Sequence, residues 1–283
     1  MSIATARQMT FMNSLMHKLP PTTKIQTQLQ QGWLTIWLDS PKNKNAIDDT
    51  MCADLLAVMD AVRDNRTVRG ITLRGKNGIF CSGGDLKSFN RMQAPGVGHA
   101  DVAKMNRGIG DVLLSLNEMP QVVICLVEGA AIAGGLGLMC CGDVILATED
   151  SKFSLTETML GIPPAQIAPF VVARVGLPMA RRIMLTGARF TGIDALGYGL
   201  LDETAVDVES LEEIEAKLKR GVLRCGPAAI AATKHLILSS RDKSGPEMMD
   251  HASDVFATCM LSDEGKEGIS SFVEKRKPNW SPS

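Results

Sequence analysis

The segment from Phe153 to Gly161 contains the best candidate for a catalytic acid or base in this chain. Its central residue, Glu157, follows two glycine-rich turns and precedes an Ile-Pro-Pro break. A carboxylate held beside such turns can move a proton while backbone N–H groups bind a developing negative charge. We therefore take Glu157 as the first candidate for the reacting side chain.

The two turns are the segments 80–87 (Phe-Cys-Ser-Gly-Gly-Asp-Leu-Lys) and 128–137 (Glu-Gly-Ala-Ala-Ile-Ala-Gly-Gly-Leu-Gly). Each follows an apolar, β-branched run, 68–73 or 121–127, that is typical of a buried strand. Because glycine has no Cβ, two N–H groups of these turns can form an oxyanion hole, which suits enolate chemistry next to a carbonyl. The spacing matches neither a dinucleotide fingerprint nor a phosphate-binding loop.

Together these motifs resemble those of the crotonase, or enoyl-CoA hydratase/isomerase, superfamily. The resemblance covers about residues 25 to 280, and its landmarks are the segment 39–46 (Asp-Ser-Pro-Lys-Asn-Lys-Asn-Ala), the two glycine turns, Cys141-Gly-Asp143, the segment 154–162, and the segments 188–201 and 268–278. It implies an α/β fold: a crotonase (ClpP-like) spiral of ββα units with a C-terminal α-helical oligomerisation region. It also implies a homotrimer, or a homohexamer made as a dimer of trimers.

The resemblance implies roles for three residues. The N–H groups of Gly84 and Gly134 bind the thioester carbonyl of an acyl-CoA substrate, and Glu157 is the general acid/base. No metal and no separate cofactor are expected, because coenzyme A is part of the substrate and water addition needs only proton transfer and charge stabilisation.

At Gly137 the chain departs from the family, whose hydratases usually carry a second glutamate there. Three explanations stay open: an enoyl-CoA delta isomerase with one proton-shuttling glutamate, a hydratase in which Glu157 works alone or with a water or substrate group in the vacant space, or a non-catalytic acyl-CoA-binding homologue. The segment 160–176 favours the hydratase, because it resembles enzymes that act on branched glutaconyl-CoA esters. The glycine resembles that of isohexenylglutaconyl-CoA hydratases of acyclic terpene breakdown, whose relatives act on 3-methylglutaconyl-CoA in leucine catabolism.

Two reasons for the glycine remain equally open. A branched diacid thioester would be crowded and repelled by a second enzyme carboxylate, and Gly137 would relieve both effects. Alternatively, Gly137 only permits close helix packing.

The resemblance further implies a set of residues that contact the substrate or its CoA portion. Lys42, Lys44 and Lys87 are expected near the CoA phosphates, and Lys275 near the adenosine phosphate of the same or a neighbouring subunit, although solvated lysines are the plain alternative. Asp85 also fits a helix N-cap. The full set is Lys42, Lys44, Ala46, Ser82, Gly84, Asp85, Leu86, Lys87, Gly134, Gly137 and Lys275, with Phe89, Met92 and Met105 as candidates for the acyl pocket.

Composition excludes several classes of protein. The 283 residues are 45% hydrophobic with a formal net charge of -1 and 4% aromatic residues, which argues against a nucleic-acid partner. No apolar run is long enough to span a membrane. Seven cysteines, an odd number in apolar contexts, and four scattered histidines predict neither a disulfide framework nor a metal site, and they favour the cytoplasm.

The pattern of apolar residues predicts the elements that position these motifs. Residues 33–38 are expected to form a strand, and 49–63 a helix capped by Asp48 or Asp49. The segments 211–222, 227–239 and 246–261 are expected to be helices. We therefore expect three regions: a flexible N-terminal extension (1–23), a crotonase core with the acyl-CoA site (24–206), and a C-terminal helical region (207–283).

Overall fold

A computed structural model describes residues 19–282 of the chain. The strands in this part of the chain are β1 (Ile25–Gln30), β2 (Trp33–Leu38), β3 (Gly70–Gly75), β4 (Val122–Val127), β5 (Ala130–Ile132), β6 (Val144–Thr148), β7 (Lys152–Ser154), β8 (Arg189–Thr191) and β9 (Glu203–Ala205). The α-helices are α1 (Asp49–Arg63), α2 (Leu86–Arg91), α3 (His99–Asn117), α4 (Gly134–Met139), α5 (Ala168–Thr186), α6 (Gly192–Gly197), α7 (Val208–Val222), α8 (Pro227–Ser239), α9 (Gly245–Leu261) and α10 (Asp263–Val273).

The strands form two sheets. The larger sheet has the order β1-β2-β3-β4-β6-β9, in which β1 is antiparallel to β2 and all other neighbours are parallel. The smaller sheet has the order β5-β7-β8, with β5 and β7 parallel. The expectation of an α/β fold is confirmed, and the parallel strands place several loop ends at the same edges of the sheets.

A large apolar core lies between the larger sheet and the helices α1 and α3, which pack against each other. The helix α1 is fixed at its start by Asp48, whose carboxylate accepts a hydrogen bond from the N–H of Met51 at 2.9 Å. Five of its apolar side chains recur at helical spacing and are buried, as expected from the sequence: Met51, Leu55, Val58, Met59 and Val62.

A second core lies on the opposite face of the sheet, beneath α7. Trp33 and Leu211 are buried there, and the indole N–H of Trp33 donates to Thr72, whose hydroxyl in turn donates to the carboxylate of Glu215. Glu215 is only 6% exposed and also pairs with Lys219 at 2.6 Å. The predicted C-terminal helical region thus begins with α7, which covers the sheet of the core.

The first described residues are in contact with the core. Leu19 packs against the large core, and the N–H of Thr23 donates to the carboxylate of Asp54 at 2.7 Å. Residues 19–23 thus belong to the packed chain, while the remainder of the predicted extension, residues 1–18, lies outside the described residues.

The C-terminal helices carry large exposed apolar side chains. Phe256, Leu261, Phe272 and Val273 are all more than half exposed, and Phe272 reaches 86%. Arg69, at the start of β3, donates to the carbonyls of Cys225 and Trp280, which ties the chain after α10 to the amino end of that strand. Within residues 19–282, none of the helices combines the length and the apolar character needed to cross a bilayer.

All seven cysteines lie among the described residues and are free, and five of them are buried: Cys52, Cys81, Cys125, Cys140 and Cys141. Burial raises the pKa of both Cys81 and Cys140 to about 12. These two thiols are therefore protonated at neutral pH and act as small apolar side chains.

Candidate active site

Three parallel segments bring the predicted site residues to one edge of the smaller sheet. Cys81 forms a parallel bridge with Ala131 of β5, and Ala131 is in register with Phe153 of β7. Gly84, Gly134 and Glu157 follow these three partners by only three or four residues. Because the carboxyl ends of parallel strands meet at the same edge, the two glycine turns and the acid converge.

The N–H of Gly84 is aimed by its neighbour Ile47. The N–H of Ile47 donates to the carbonyl of Gly83 at 2.7 Å, and the carbonyl of Ile47 accepts from Asp85 at 3.0 Å. In a trans peptide the N–H points away from the carbonyl of the preceding residue, so fixing the Gly83 carbonyl also fixes the direction of the Gly84 N–H. The N–H of Gly83 is held by the sulfur of Cys81 at 3.4 Å.

The N–H of Gly134 is aimed in the same manner at the start of α4. The N–H of Ala133 donates to Ser154 of β7 at 2.8 Å, and the carbonyl of Ala133 accepts from Gly137 at 3.1 Å. Ala133 has φ 50°, ψ -121°, which is strained for a residue with a side chain. This bend turns the Gly134 N–H out of the helix.

The two N–H groups lie side by side. A Cβ placed on Gly134 would be 3.6 Å from the nitrogen of Gly84. Within residues 19–282, neither N–H donates a hydrogen bond to another group of the chain. Two adjacent unpaired backbone donors, fixed before any ligand arrives, are the requirement for an oxyanion hole.

Glu157 begins a short 3₁₀ turn, Glu157–Leu160, that follows β7. Its carboxyl is half-buried, and the oxygen Oε2 is enclosed without a hydrogen-bond partner among the described residues. Burial raises the pKa of Glu157 above the ordinary glutamate value, and a hydrogen bond from its own backbone N–H offsets part of this rise. The carboxylate is thus a stronger base than an exposed glutamate.

The space beside Gly137 is filled by Ile167. Atoms of the Ile167 side chain lie closer than 3.0 Å to the position that a Cβ on Gly137 would occupy, a separation that real Cβ atoms do not show. Ile167 is itself buried, at the entrance to α5. The explanation that the missing glutamate leaves vacant space for a water or substrate group is therefore wrong at the Cβ position, and close packing is the reason that the structure gives for the glycine.

The segment 42–46 is attached to the first glycine turn. Ser82 donates from its N–H to the carbonyl of Lys44 at 3.1 Å and from its hydroxyl to the carbonyl of Asn43 at 3.0 Å. Ala46 is buried next to Ile47, while the side chains of Lys42 and Lys44 are exposed. The structure therefore brings these predicted residues to the turn of Gly84, with both lysines at the surface.

The helix α2 begins directly after Gly84. Asp85 is its N-cap, and its carboxylate accepts from the N–H and the hydroxyl of Ser88 at 3.1 and 3.0 Å. Leu86 is 59% exposed and Lys87 is also exposed, so both are accessible beside the turn. The ring of Phe89 closes one side of the turn, because its Cζ lies 2.6 Å from the position of a Cβ on Gly84.

Lys275 is not brought to this site within one chain. It follows α10, in the segment that is tied to the amino end of β3, whereas the glycine turn follows the carboxyl end of that strand. The neighbouring Arg276 is engaged by Glu267 and Glu274 at 2.6 Å each. A contact of Lys275 with CoA would need a second subunit and stays a prediction.

Three contributors to the site, Ile47, Ala133 and Ile167, carry no sequence signal that pointed to them, and Gln166 lies next to the third. Ile47 and Ala133 act through their backbone, and Ile167 acts by filling space. Gln166, which precedes Ile167, donates from its side-chain amide to Asn106 of α3 at 2.8 Å. The roles of Ile47 and Ala133 follow from the strand pairing next to the two turns. This pairing cannot be read from the sequence.

The sequence and the structure of this chain are similar to those of known proteins. The model of the enoyl-CoA hydratase/isomerase family matches residues 28–283, a range that includes both glycine turns and Glu157. AtuE from Pseudomonas aeruginosa has a similar structure with a TM-score of 0.89 at 43% sequence identity, over 92% of this chain and 100% of that one. An enoyl-CoA hydratase/isomerase from Marinobacter aquaeolei gives a TM-score of 0.87 at 36% identity, over 92% and 99%. Enoyl-CoA hydratase EchA19 from Mycobacterium tuberculosis is 29% identical over 248 residues, which is 87% of this chain and 92% of that protein.

Proposed function

Because the chain belongs to the enoyl-CoA hydratase/isomerase family, we propose that it adds water to the double bond of a 2-enoyl-CoA thioester. One observation carries this proposal: the N–H groups of Gly84 and Gly134, unpaired within the described residues, lie side by side at the sheet edge where the half-buried carboxyl of Glu157 also emerges. This arrangement stabilises an enolate and moves a proton, which are the two requirements of the reaction.

In the proposed mechanism the thioester oxygen accepts hydrogen bonds from Gly84 and Gly134. The Glu157 carboxylate takes one proton from a water molecule while the water oxygen bonds to C3, and the π electrons move through C2 to the thioester oxygen. The carboxyl then delivers the proton to C2, which restores both the thioester and the carboxylate. The raised pKa of Glu157 suits both halves of this cycle, because it strengthens the base without preventing the return of the proton.

For the substrate we propose a branched diacid thioester, isohexenylglutaconyl-CoA or 3-methylglutaconyl-CoA. The support is the resemblance of the segment 160–176 and of Gly137 to hydratases of such esters. The contact of Ile167 with Gly137 adds support of another kind, because it places an apolar side chain where the resemblance implies a second glutamate in most hydratases. A substrate with its own carboxylate meets less repulsion beside such a side chain.

An enoyl-CoA delta isomerase is the second candidate. The observation that favours it is the same contact, because Ile167 excludes a second carboxylate at position 137 and a single glutamate suffices to carry a proton between C2 and C4. A non-catalytic acyl-CoA-binding role is the third candidate. It is opposed by the raised pKa of Glu157 and by its enclosed oxygen Oε2, which has no hydrogen-bond partner in the described chain.

We further propose a homotrimer or a dimer of trimers, working in the cytoplasm. The exposed apolar side chains of α9 and α10, such as Phe256 and Phe272, support contact between subunits. The free cysteines support a reducing compartment.

The test is turnover in H₂¹⁸O, followed by mass spectrometry, with isohexenylglutaconyl-CoA, 3-methylglutaconyl-CoA and a 3-enoyl-CoA. Uptake of labelled oxygen by a glutaconyl ester is expected, and a double-bond shift without uptake, seen only with the 3-enoyl ester, would identify an isomerase instead. Glu157→Gln is expected to lower kcat by about 10²- to 10⁴-fold while CoA-ester binding persists. Glu213→Gln, at an exposed position on α7, is the matched control and should retain activity. Full turnover by Glu157→Gln would contradict the assigned role.

A further inference from the structure

The side chain of Gln166 lies next to the point where a second catalytic carboxylate would begin. Gln166 directly precedes Ile167, whose side chain fills the space beside Gly137. Consecutive Cα atoms are about 3.8 Å apart, so the backbone of Gln166 is one residue from this wall of the site. Its half-buried side chain reaches α3.

The amide of Gln166 is held in place from two sides. Its Nε2 donates to Oδ1 of Asn106 at 2.8 Å. One turn further along α3, Gly110 leaves room for the amide group, because a Cβ on Gly110 would overlap both Oε1 and Cδ of Gln166. Glycine in the middle of a helix of 19 residues lowers helix stability relative to alanine. The absence of a side chain at this position therefore leaves room for the amide where it lies.

This amide pair retains unused hydrogen-bond donors. In the part of the chain that the structure describes, Asn106 Nδ2 donates to no acceptor and Gln166 Nε2 donates only to Asn106. Two N–H groups of Asn106 and one of Gln166 therefore remain free. Both side chains are half-buried, so their N–H groups are accessible to a polar group from outside the chain.

The charged groups next to the amide pair on α3 form an ion pair. Arg107 Nη1 lies 3.3 Å from the position of a Cβ on Gly110, against which the Gln166 amide also packs. The nearest acid on the same helix, Asp111, is paired with Arg107 at 2.7 Å. A carboxylate accepts hydrogen bonds and donates none, so the free amide N–H groups match it in hydrogen-bonding capacity.

We propose that Asn106 and Gln166 form a specificity subsite that binds the distal carboxylate of the acyl chain. This inference rests on the proposed function and deepens it, because it assigns the choice of a diacid thioester to two named residues. The apolar Ile167 separates this subsite from the reacting end of the site. The substrate carboxylate thus meets donors at α3 and no second enzyme carboxylate at position 137.

The test measures binding of two unreactive thioesters by calorimetry, 3-methylglutaryl-CoA and isovaleryl-CoA, which differ only by the distal carboxyl group. The wild-type chain is expected to bind the diacid ester at least about tenfold more tightly, the effect of a hydrogen bond to a charged group. Gln166→Leu should abolish this preference and leave the affinity for isovaleryl-CoA unchanged. Gln166→Glu, which keeps the shape and adds a negative charge, should reverse it. Gln28→Leu, an exposed position on β1, is the matched control.

The outcomes separate this inference from the proposed function. Equal loss of affinity for both esters in the Gln166 variants, or retention of the diacid preference, would overturn the subsite. The proposed function is tested separately by turnover of 3-methylglutaconyl-CoA and 3-methylcrotonyl-CoA by the wild-type enzyme. Hydration of 3-methylcrotonyl-CoA alone would reject the diacid substrate. The ratio of the affinities for 3-methylglutaryl-CoA and isovaleryl-CoA would still show whether Gln166 recognises the distal carboxylate.

Discussion

Ile167 occupies the place into which any side chain at position 137 would project. The missing carboxylate of this site is thus a matter of packing between α4 and the entrance to α5, and adding the carboxylate back requires that this packing change. A Gly137→Glu exchange alone would test overlap with Ile167 more than it tests repulsion of the substrate.

The coupling of these two residues can be measured by a double-mutant cycle. Gly137→Ala is expected to destabilise the chain by about 1–3 kcal/mol through overpacking, and Ile167→Ala by about 2–5 kcal/mol through loss of buried volume. The double variant should be more stable than the sum of these costs predicts, by at least about 1 kcal/mol, because the smaller side chain at position 167 makes room for the added methyl group at position 137. Urea denaturation gives all three values. Additive costs would contradict the contact.

Gly134→Ala is expected to separate catalysis from stability. Its Cβ would lie in ordinary contact, 3.6 Å from the nitrogen of Gly84, so the free energy of unfolding should change by less than about 1 kcal/mol. The methyl group would crowd the position of the oxyanion, and kcat/KM should fall by about 10²- to 10³-fold.

Gly135→Ala is the matched comparison for that variant. Its Cβ would come within 2.6 Å of the Cys81 carbonyl oxygen and 2.7 Å of the Cys81 Cβ, so here the main expected effect is a destabilisation of about 1–3 kcal/mol. Denaturation curves and steady-state rates of both variants check the contrast. Equal stability losses at 134 and 135 would refute it.

The pH dependence of kcat/KM should report the environment of Glu157. The mechanism starts from the carboxylate, so activity falls as the pH drops through the pKa of Glu157. Since burial raises that pKa, the acidic limb is expected above 4.5, the ordinary value. A limb at or below 4.5 in wild-type initial rates would show that Glu157 is not the titrating group.

The same burial predicts an effect on stability. A group whose pKa is raised by folding stabilises the native state below its unfolded pKa, and this contribution is lost as the pH rises through the folded pKa. At pH 8 the ionised, half-buried Glu157 therefore lowers the free energy of unfolding, and Glu157→Gln removes this effect. The variant should have the higher Tm at pH 8, with the difference shrinking toward pH 4, as checked by thermal denaturation. The exposed Glu213→Gln should show no such trend.

The sequence predicted those parts of the fold whose signals are local. The strand Trp33–Leu38 and the helix Asp49–Arg63 were predicted with their observed bounds. Their signals, apolar periodicity and a capping aspartate, come from residues that are close in the sequence. The three-residue strands β5, β7 and β8 were not, since so short an element shows no alternation. Yet these strands bring the two glycine turns and Glu157 together.

The same distinction between local signals and long-range contacts applies to the candidate site. Glu157, Gly84 and Gly134 could be proposed from residue type and resemblance, because glycine leaves its backbone N–H accessible and proton transfer needs an acid or base. The contact of Gln166 with Asn106 joins residues 60 positions apart. The contact of Ile167 with Gly137 depends on how two helices approach. Neither contact follows from a local pattern in the sequence.

The clamp that Ile47 places on the first glycine turn has an evolutionary consequence. It holds the turn through main-chain atoms, and the groups it aims are main-chain atoms as well. Substitutions of side chains around the acyl pocket can therefore change its shape and polarity without moving the backbone N–H groups that bind the thioester oxygen. Proteins with this fold can therefore acquire new thioester substrates through side-chain substitutions. The stabilisation of the enolate is retained, because it depends on the course of the backbone.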